Sequence, residues 1–298
     1  MITDIPRCNE RYFIFEDMQE LDQGGQSSIK KVQSVDHKQF IYKSFDEEKY
    51  FNSEINALMR LDHPNIVKAT CWRVIEVENS FQYDSESSSI ELQYALVLPF
   101  LKNGSIHTNR PKSMTLVRKW TKQLLNAVRY MHKQGIIHHD IKPGNLLRND
   151  ADDLILIDFG YATPESQVSL AGTRFTMAPE VSGSCGFEDM NKDGSFIING
   201  ARNELETLIH TGVDWFSVGI TLWFFLTMLH LGKNGREMSL MEQHPIESDR
   251  NNNCFLKECP KEFDSEHCQL VKALIVEDPN ERKFDSDDSF ERLLNIIE

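Results

Sequence analysis

An acid, a base and an amide lie together in an otherwise apolar stretch of the chain. Asp140, Lys142 and Asn145 occur within IIHHDIKPGNLL, residues 136–147. Such groups are costly to bury unless they find partners. A carboxylate can accept a proton, and carboxylate and amide oxygens suit hard cations such as magnesium. A structural turn would explain Asp140 alone, but the amide five residues later favours a reactive site.

Three further side chains have types and positions that could join this chemistry. Asp158 follows four apolar residues in LILIDFG, thirteen residues after Asn145. Lys43 lies in FIYKSF, and Glu54 lies eleven residues later in NSEINALMRL. Taken singly, Lys43 and Glu54 would be interpreted as solvated surface residues.

The first hundred residues have the patterns of strands with one helix. Apolar and polar residues alternate in YFIFEDMQEL, SSIKKVQSV and KQFIYKSF, as in half-buried antiparallel strands. EKYFNSEINALMRL has helical periodicity, and CWRVIEVE and IELQYALVLPF predict two further strands. The intervening FQYDSESSS predicts an exposed loop.

After LKNGS, residues 101–105, the patterns become helical. An amphipathic helix is predicted from Met114 to Gly135. The run from Trp215 to Gly232 is a membrane candidate, but it is short for a span and lacks a positive N-terminal flank. We therefore expect a core helix and no membrane partner. These elements predict an α+β protein with a strand-rich small lobe and a helical large lobe.

Charge and cysteine content limit the classes of partner and compartment. The chain has 298 residues and a net charge of −14, which argues against nucleic-acid binding because that requires a basic face. An acidic surface would favour basic substrates, or simply solubility. The N-terminus lacks a secretory pattern. We expect reduced cysteines in a cytoplasmic protein, with the nucleus as an alternative.

A zinc site is the alternative interpretation of one group of cysteines. Cys254, Cys259 and Cys268, with His267 beside the last, could supply four ligands. Their spacing matches no closed tetrahedral pattern, so this interpretation is disfavoured.

Taken together, HHDIKPGN, IDFG and GTRFTMAPE, in this order and spacing, resemble the protein kinase family over residues 10–295. The resemblance implies one bilobal kinase domain over residues 1–298. Its N-lobe would span about 10–98, its hinge 99–102, and its C-lobe 103–298. It also implies ATP and Mg²⁺ as cofactors, and a protein substrate that could be basic.

The resemblance assigns the polar side chains to catalysis and metal binding. Asp140 would accept the proton of the substrate hydroxyl, and Lys142 would neutralise the transferred phosphoryl group. Asn145 and Asp158 would bind magnesium. A lysine two residues after the catalytic aspartate, as at Lys142, resembles the pattern of the serine/threonine branch of the family. In the N-lobe, Lys43 would bind the α- and β-phosphates and pair with Glu54.

The resemblance also implies a set of nucleotide contacts, some of which depart from the family pattern. Gly24 and Gly25 would approach the phosphates, although Asp22 replaces the first glycine of the motif. Ile41 replaces the usual alanine beside the adenine ring. The other predicted contacts are Leu21, Ile29, Leu98, Pro99, Leu101 and Leu147.

A third departure is His139, which replaces the arginine that precedes the catalytic aspartate. That arginine pairs with a phosphorylated activation loop, and a neutral histidine would do so poorly. We therefore expect activity without phosphorylation of the loop from Tyr161 to Ala178, which offers Thr163, Ser166 and Ser169. A pH switch at His139 is the alternative interpretation.

Further family motifs imply structural contacts. Glu180 should pair with Arg282, and Thr173 should bond to Asp140 and Lys142. Asp214 should accept backbone N–H bonds from HHDIKPGN, residues 138–145, which would be the catalytic loop. The stretch near 183–212 is longer than the family requires, and either a docking insertion or an inert loop would explain it.

Two functions of different class fit the sequence. The first is an active serine/threonine protein kinase. The second is a pseudokinase scaffold that binds nucleotide or partner proteins without efficient transfer, which the altered glycine loop, Ile41 and His139 favour. All six polar site residues are present, and without metal and nucleotide they would be uncompensated polar groups. This favours the kinase.

Overall fold

The computed structural model describes residues 4–23, 27–80, 88–165, 172–182, 210–234, 245–248, 254–256, 258–261, 263–276, 278–282, 284 and 286–297. The chain divides into two compact units, Met1–Leu101 and Lys102–Glu298. The expected α+β class is confirmed, with antiparallel strands in the first unit and mainly helices in the second. Assignment of the units as lobes joined by a hinge at 99–102 stays a prediction.

The first unit is built on a five-stranded antiparallel sheet in the order β1-β2-β3-β5-β4. The predicted strands are confirmed, with ends that differ by at most two residues. Their bounds are β1 Phe13–Gln23, β2 Ser27–Ser34, β3 Gln39–Phe45, β4 Cys71–Ser80 and β5 Ser88–Pro99. Of the predicted loop 81–89, residues 81–87 lie outside the described part, and Ser88 and Ser89 belong to β5.

The two faces of this sheet carry different side chains because residues alternate along each strand. One face holds a core cluster around Tyr42, Val97 and Phe13. Lys43 and Ile41 point to the other face, where Lys43 pairs with Leu96 and Ile41 with Leu98 across the strands. Lys43, the polar residue of β3, therefore lies on the face opposite this cluster.

The helix α1, Glu48–Arg60, packs against β3 and β5. The predicted helix is confirmed, and its apolar residues Phe51, Ile55 and Leu58 are buried together with Leu61 just after its end. Glu54 is buried on the same helix, which places a carboxylate under the sheet.

The segment before β1 lies along β4 and corrects the prediction of reduced cysteines. The Cys8 N–H donates to the Trp72 carbonyl at 2.8 Å. This alignment brings Cys8 to Cys71, and the two form a disulfide with a Cα–Cα distance of 4.9 Å. The expectation of free thiols is therefore wrong for this pair, and the cytoplasmic location stays a prediction without that support.

The second unit is organised around the helix α4, Gly212–Asn234. From residue 212 to 228 its residues are buried on all sides, so the predicted core helix is confirmed. The window Gly212–Leu229 is long and apolar enough for a membrane span, but 94% of it is buried in the protein. Burial inside the fold therefore accounts for its composition.

The other helices of this unit surround α4. The amphipathic α2, Met114–Lys133, begins at the cap Ser113 and contacts α4 through Trp120 and Phe225. The helix α5, Ser265–Leu274, packs against α4 at Gly219. A Cβ atom there would lie 2.9 Å from the Leu274 Cβ, so a glycine permits this close approach. The short α3, Pro179–Ser182, and α6, Asp287–Leu294, complete the described helices.

Short strands shape the loops of the second unit. The pairs are β6 Ile136–Ile137 with β9 Thr163–Pro164, β7 Leu146–Arg148 with β8 Leu154–Leu156, and β10 Ile246–Ser248 with β11 Cys254–Leu256. Single 3-10 turns occur at Pro143–Asn145, Arg174–Thr176 and Pro279–Arg282.

The cysteines of the second unit do not form the alternative zinc arrangement. Cys259 and Cys268 are joined to each other in a disulfide with a Cα–Cα distance of 6.2 Å. Within the described residues, no group of three or more His, Cys, Asp or Glu side chains is placed to bind a metal. Two of the proposed zinc ligands are thus bonded to each other.

Candidate active site

In the first unit, Lys43 and Glu54 form a buried ion pair. The Lys43 Nζ donates to the Glu54 Oε2 at 2.6 Å. The exposed fraction is 7% for the lysine side chain and 0% for the glutamate. The predicted contact between strand and helix is present, and it holds the ammonium at one fixed position on the sheet face.

Apolar residues surround this pair on the same face of the sheet. Ile29 is the cross-strand partner of Lys43 on β2, and Leu98 is the partner of Ile41 on β5. Because cross-strand partners share a face, three predicted nucleotide contacts lie beside the lysine. Pro99 pairs with Phe40 and falls on the opposite face.

The structure says less about the other nucleotide contacts predicted in the first unit. Leu21 lies at an irregularity of the β1–β2 register between Glu20 and Asp22, and its side chain is exposed. Leu101 is half-buried. Gly24 and Gly25 lie outside the described residues, so their predicted phosphate contacts stay predictions.

In the second unit, Asp140 is buried and its two oxygens have different partners. The Thr173 N–H donates to Oδ1 at 2.8 Å. The Asn145 Nδ2 donates to Oδ2 at 3.0 Å, and the Lys142 Nζ lies 2.8 Å from the same oxygen. These contacts fix the direction in which the carboxylate points.

Lys142 and Thr173 are themselves bonded. The lysine Nζ donates to the threonine Oγ1 at 2.6 Å. The predicted contacts of Thr173 are confirmed, although its backbone N–H rather than its hydroxyl reaches Asp140. Gly172 makes this approach possible, since its φ is +135° and a Cβ would lie 2.3 Å from the His139 carbonyl oxygen.

Asn145 and Asp158 lie at the same end of the β7–β8 hairpin. Leu146 pairs with Leu156, and the Ile157 N–H donates to the Asn145 carbonyl at 3.0 Å. The Asn145 amide nitrogen faces Asp140, so its oxygen is the atom that could bind a cation. One amide oxygen and a carboxylate fit magnesium, which binds few protein ligands and keeps waters or phosphates.

The hairpin also carries Leu147, a predicted adenine contact. It is half-buried, pairs with Ile155 and forms a bridge to Ser105. Phe159 follows Asp158 and is fully buried, with its ring 4.7 Å from that of His138. The hairpin end is therefore anchored in the core of its own unit.

Asp214, at the start of α4, anchors the catalytic loop through hydrogen bonds. The N–H groups of His138 and His139 donate to its two oxygens at 2.8 and 2.9 Å, as predicted. The His132 Nε2 lies 2.9 Å from Oδ2. Burial alone would raise the pKa of Asp214, but the hydrogen bond and charge of His132 hold it below its usual value.

His139 is buried in the place of the family arginine. Burial lowers its pKa to about 4 and outweighs the nearby Asp214, which would raise it. Its Nε2 lies 2.8 Å from the Thr163 Oγ1, on the strand β9. A neutral side chain thus ties the catalytic loop to the start of the activation loop. Ser166 and Ser169 lie outside the described residues.

The remaining predicted structural contact is present as well. The Arg282 Nη2 donates to the Glu180 Oε2 at 2.7 Å, and the arginine side chain is fully buried. The predicted insertion near 183–212 lies outside the described residues except for its last three positions.

Sequence reasoning missed two residues of this site. His132 carried no signal, because on α2 it is one polar residue among many on an amphipathic helix. Gly172 lies inside the motif GTRFTMAPE, and its position before Thr173 is a usable signal for a close backbone contact.

The chain is similar in sequence to known proteins over most of its length. The sequence profile of the protein kinase domain matches residues 15–284. The interferon-induced, double-stranded RNA-activated protein kinase of Rattus norvegicus is 26% identical over 90% of this chain and 49% of its own length. The putative CBL-interacting protein kinase 13 of Oryza sativa is 26% identical over 80% of this chain and 42% of its own.

A shorter match has higher identity. The cytokinesis protein sepH of Emericella nidulans is 38% identical over 43% of this chain and 9% of its own length. The chain thus spans less than half of each of these relatives.

Proposed function

The chain belongs to the protein kinase family, and from this premise we propose that it transfers the γ-phosphoryl group of ATP to serine or threonine hydroxyls of proteins. The observation that supports this most is the Asp140 cluster. A buried carboxylate with Lys142 and Asn145 bonded to one oxygen and the Thr173 N–H to the other is a fixed base. Probable serine/threonine-protein kinases are among the similar proteins.

The proposed transfer assigns each side chain one task. The substrate oxygen attacks the γ-phosphorus, the bond to the β-phosphate oxygen breaks, and the hydroxyl proton passes to Asp140. Lys142 neutralises the moving phosphoryl charge while its contact with Thr173 keeps it in place. Catalysis of this kind depends mainly on positioning and electrostatic stabilisation.

Asn145 and Asp158 would hold Mg²⁺ through oxygen ligands. The ion would supply positive charge next to the phosphates. Lys43, held by Glu54, would bind the α- and β-phosphates. The other nucleotide contacts are proposed from the family resemblance. They are Leu21, Gly24, Gly25, Ile29, Ile41, Leu98, Pro99, Leu101 and Leu147. The net charge of −14 supports a basic protein as a test substrate.

The proposal is tested by radiolabelled phosphate transfer to a basic protein. Asp140→Asn should reduce the rate by at least about a hundredfold, because it removes the base. Asp150→Asn is the matched control, since Asp150 is exposed and pairs with the exposed Lys102 on the surface. It should leave the rate unchanged.

Two further measurements, the rate after phosphatase treatment and the binding of nucleotide, separate the kinase from the scaffold. Phosphatase treatment should leave the rate unchanged, because His139 reaches Thr163 without a phosphate. If the unaltered chain binds nucleotide but transfers no phosphate with or without phosphatase, the scaffold function is correct and the proposal is wrong.

A further inference from the structure

A cavity of about 260 Å³ opens beside the catalytic loop in the second unit. Its lining includes Lys142, Gly144 and Thr173, together with the apolar side chains of Phe175, Phe224 and Met228. At roughly 30 Å³ for each water of the liquid, it has room for a large side chain.

The described walls of this cavity are mainly apolar, and its polar side chains are His107, Lys142, Thr173 and Thr176. The Lys142 Nζ is engaged with Asp140 and Thr173, and the Thr176 hydroxyl donates to the Thr173 carbonyl. No carboxylate lines the cavity within the described residues. A basic side chain would therefore find no anionic partner there and would lie close to the Lys142 cation.

The cavity is preformed by contacts that do not involve a ligand. The rings of Phe175 and Phe224 lie 4.7 Å apart. The Ser217 hydroxyl donates to the Thr176 carbonyl at 2.7 Å, which ties the 3-10 turn Arg174–Thr176 to α4. Walls held in this way need little reorganisation on binding.

The cavity is also continuous with the reactive cluster. Lys142 and Thr173 line it, and both contact Asp140 directly. A polypeptide whose hydroxyl reaches Asp140 would therefore place a neighbouring side chain at the cavity mouth.

We propose that this cavity binds an apolar side chain of the protein substrate, a few residues from the phosphorylated serine or threonine. The inference rests on the proposed function and adds a specificity-determining contact to it. Burial of a leucine-sized side chain there should favour the substrate by on the order of tenfold over one with lysine at that position. The general preference of an acidic protein for basic partners would then not apply at this position.

The test uses dye-labelled, alanine-rich peptides with one central serine. Leucine or lysine is placed in turn at each of the flanking positions, and binding is measured by fluorescence anisotropy alongside phosphate transfer. At one position, leucine should strengthen binding and raise kcat/KM by about tenfold relative to lysine. Equal values for both residues at all positions would overturn the inference.

Substitutions in the wall make the test specific. Met228→Glu introduces a carboxylate at the cavity and should reverse the preference toward lysine, whereas Met228→Gln, of similar size and uncharged, should not. Gly144→Glu and Gly144→Gln form a second pair in case Met228 variants unfold. A Cβ at Gly144 would lie 3.7 Å from the Lys142 Cε, which is an ordinary contact.

Binding and transfer report on different claims. A leucine preference in binding without phosphate transfer would contradict the proposed kinase activity and leave the cavity assignment intact. Transfer without any side-chain preference would contradict only the cavity assignment. A preference that persists unchanged in both glutamate variants would show that leucine binds elsewhere, and would also overturn the inference.

Discussion

The Lys43–Glu54 pair and Asp214 both bury a carboxylate, but they satisfy it with different partners. Glu54 receives its hydrogen bond from another side chain, eleven residues away in sequence. Asp214 receives hydrogen bonds from two backbone N–H groups and faces His132, more than seventy residues away. One contact can be replaced by substitution of both partners, and the other cannot, because backbone amides cannot be removed.

The largest expected effect follows from Asp214→Ala. The variant leaves the N–H groups of His138 and His139 buried without an acceptor and should lower the free energy of unfolding by about 4–5 kcal/mol. Urea denaturation measures the change. Asp214→Asn keeps one acceptor oxygen and should lose clearly less. A loss below about 1 kcal/mol for the alanine variant would show that other groups hold the loop.

A smaller effect is expected from Lys43→Met. Glu54 is 0% exposed, so the variant leaves a buried charge and should lower the free energy of unfolding by about 3–4 kcal/mol. The double variant Lys43→Met, Glu54→Leu should recover stability to within about 1–2 kcal/mol of the unaltered protein, because an apolar pair of similar volume can replace a buried ion pair. Both variants should lack phosphate transfer.

Failure of this recovery would change the comparison. If the double variant is as unstable as the single one, the two residues contribute through packing rather than through their charges. Glu54→Leu alone completes the double-mutant cycle and separates these contributions.

Sequence patterns predicted the first unit better than the second, for a physical reason. Period-two alternation predicted β1, β2 and β3, and helical periodicity predicted α1. These signals are local, so one segment is sufficient to read them. The disulfide of Cys8 and Cys71 was missed because it depends on a backbone alignment across 63 residues.

In the second unit, family motifs predicted the contacts of Asp214, Thr173 and Glu180, which no periodicity could indicate. Burial of α4 was expected from its composition alone. His132 and the cavity at Phe224 and Met228 were not predicted. The cavity depends on which side of α4 faces the catalytic loop, and an all-apolar helix carries no signal for that. His132 is one polar residue among many on the amphipathic α2.

The smallest expected effect is a pH dependence of the free energy of unfolding, which arises at His139 beside Asp214. His139 lies next to Asp214, among His132 and His138, and burial lowers its pKa from 6.5 to about 4. Between these pH values the unfolded chain binds a proton that the folded protein does not. The free energy of unfolding should therefore have its full value above pH 6.5 and decrease by up to about 3 kcal/mol as the pH decreases toward 4.

Other groups titrate in acid, so the measurement is a difference between two proteins. His63 and His267 have pKa values lowered by burial, and Asp214 titrates below its usual pKa of 3.8. Urea denaturation at intervals from pH 7.5 to 4 is compared for the unaltered protein and His139→Asn, which cannot titrate. The unaltered protein should lose more stability over this range. Parallel curves would mean that His139 accepts a proton in the folded state as readily as in the unfolded chain, and that desolvation beside Asp214 is weaker than its burial suggests.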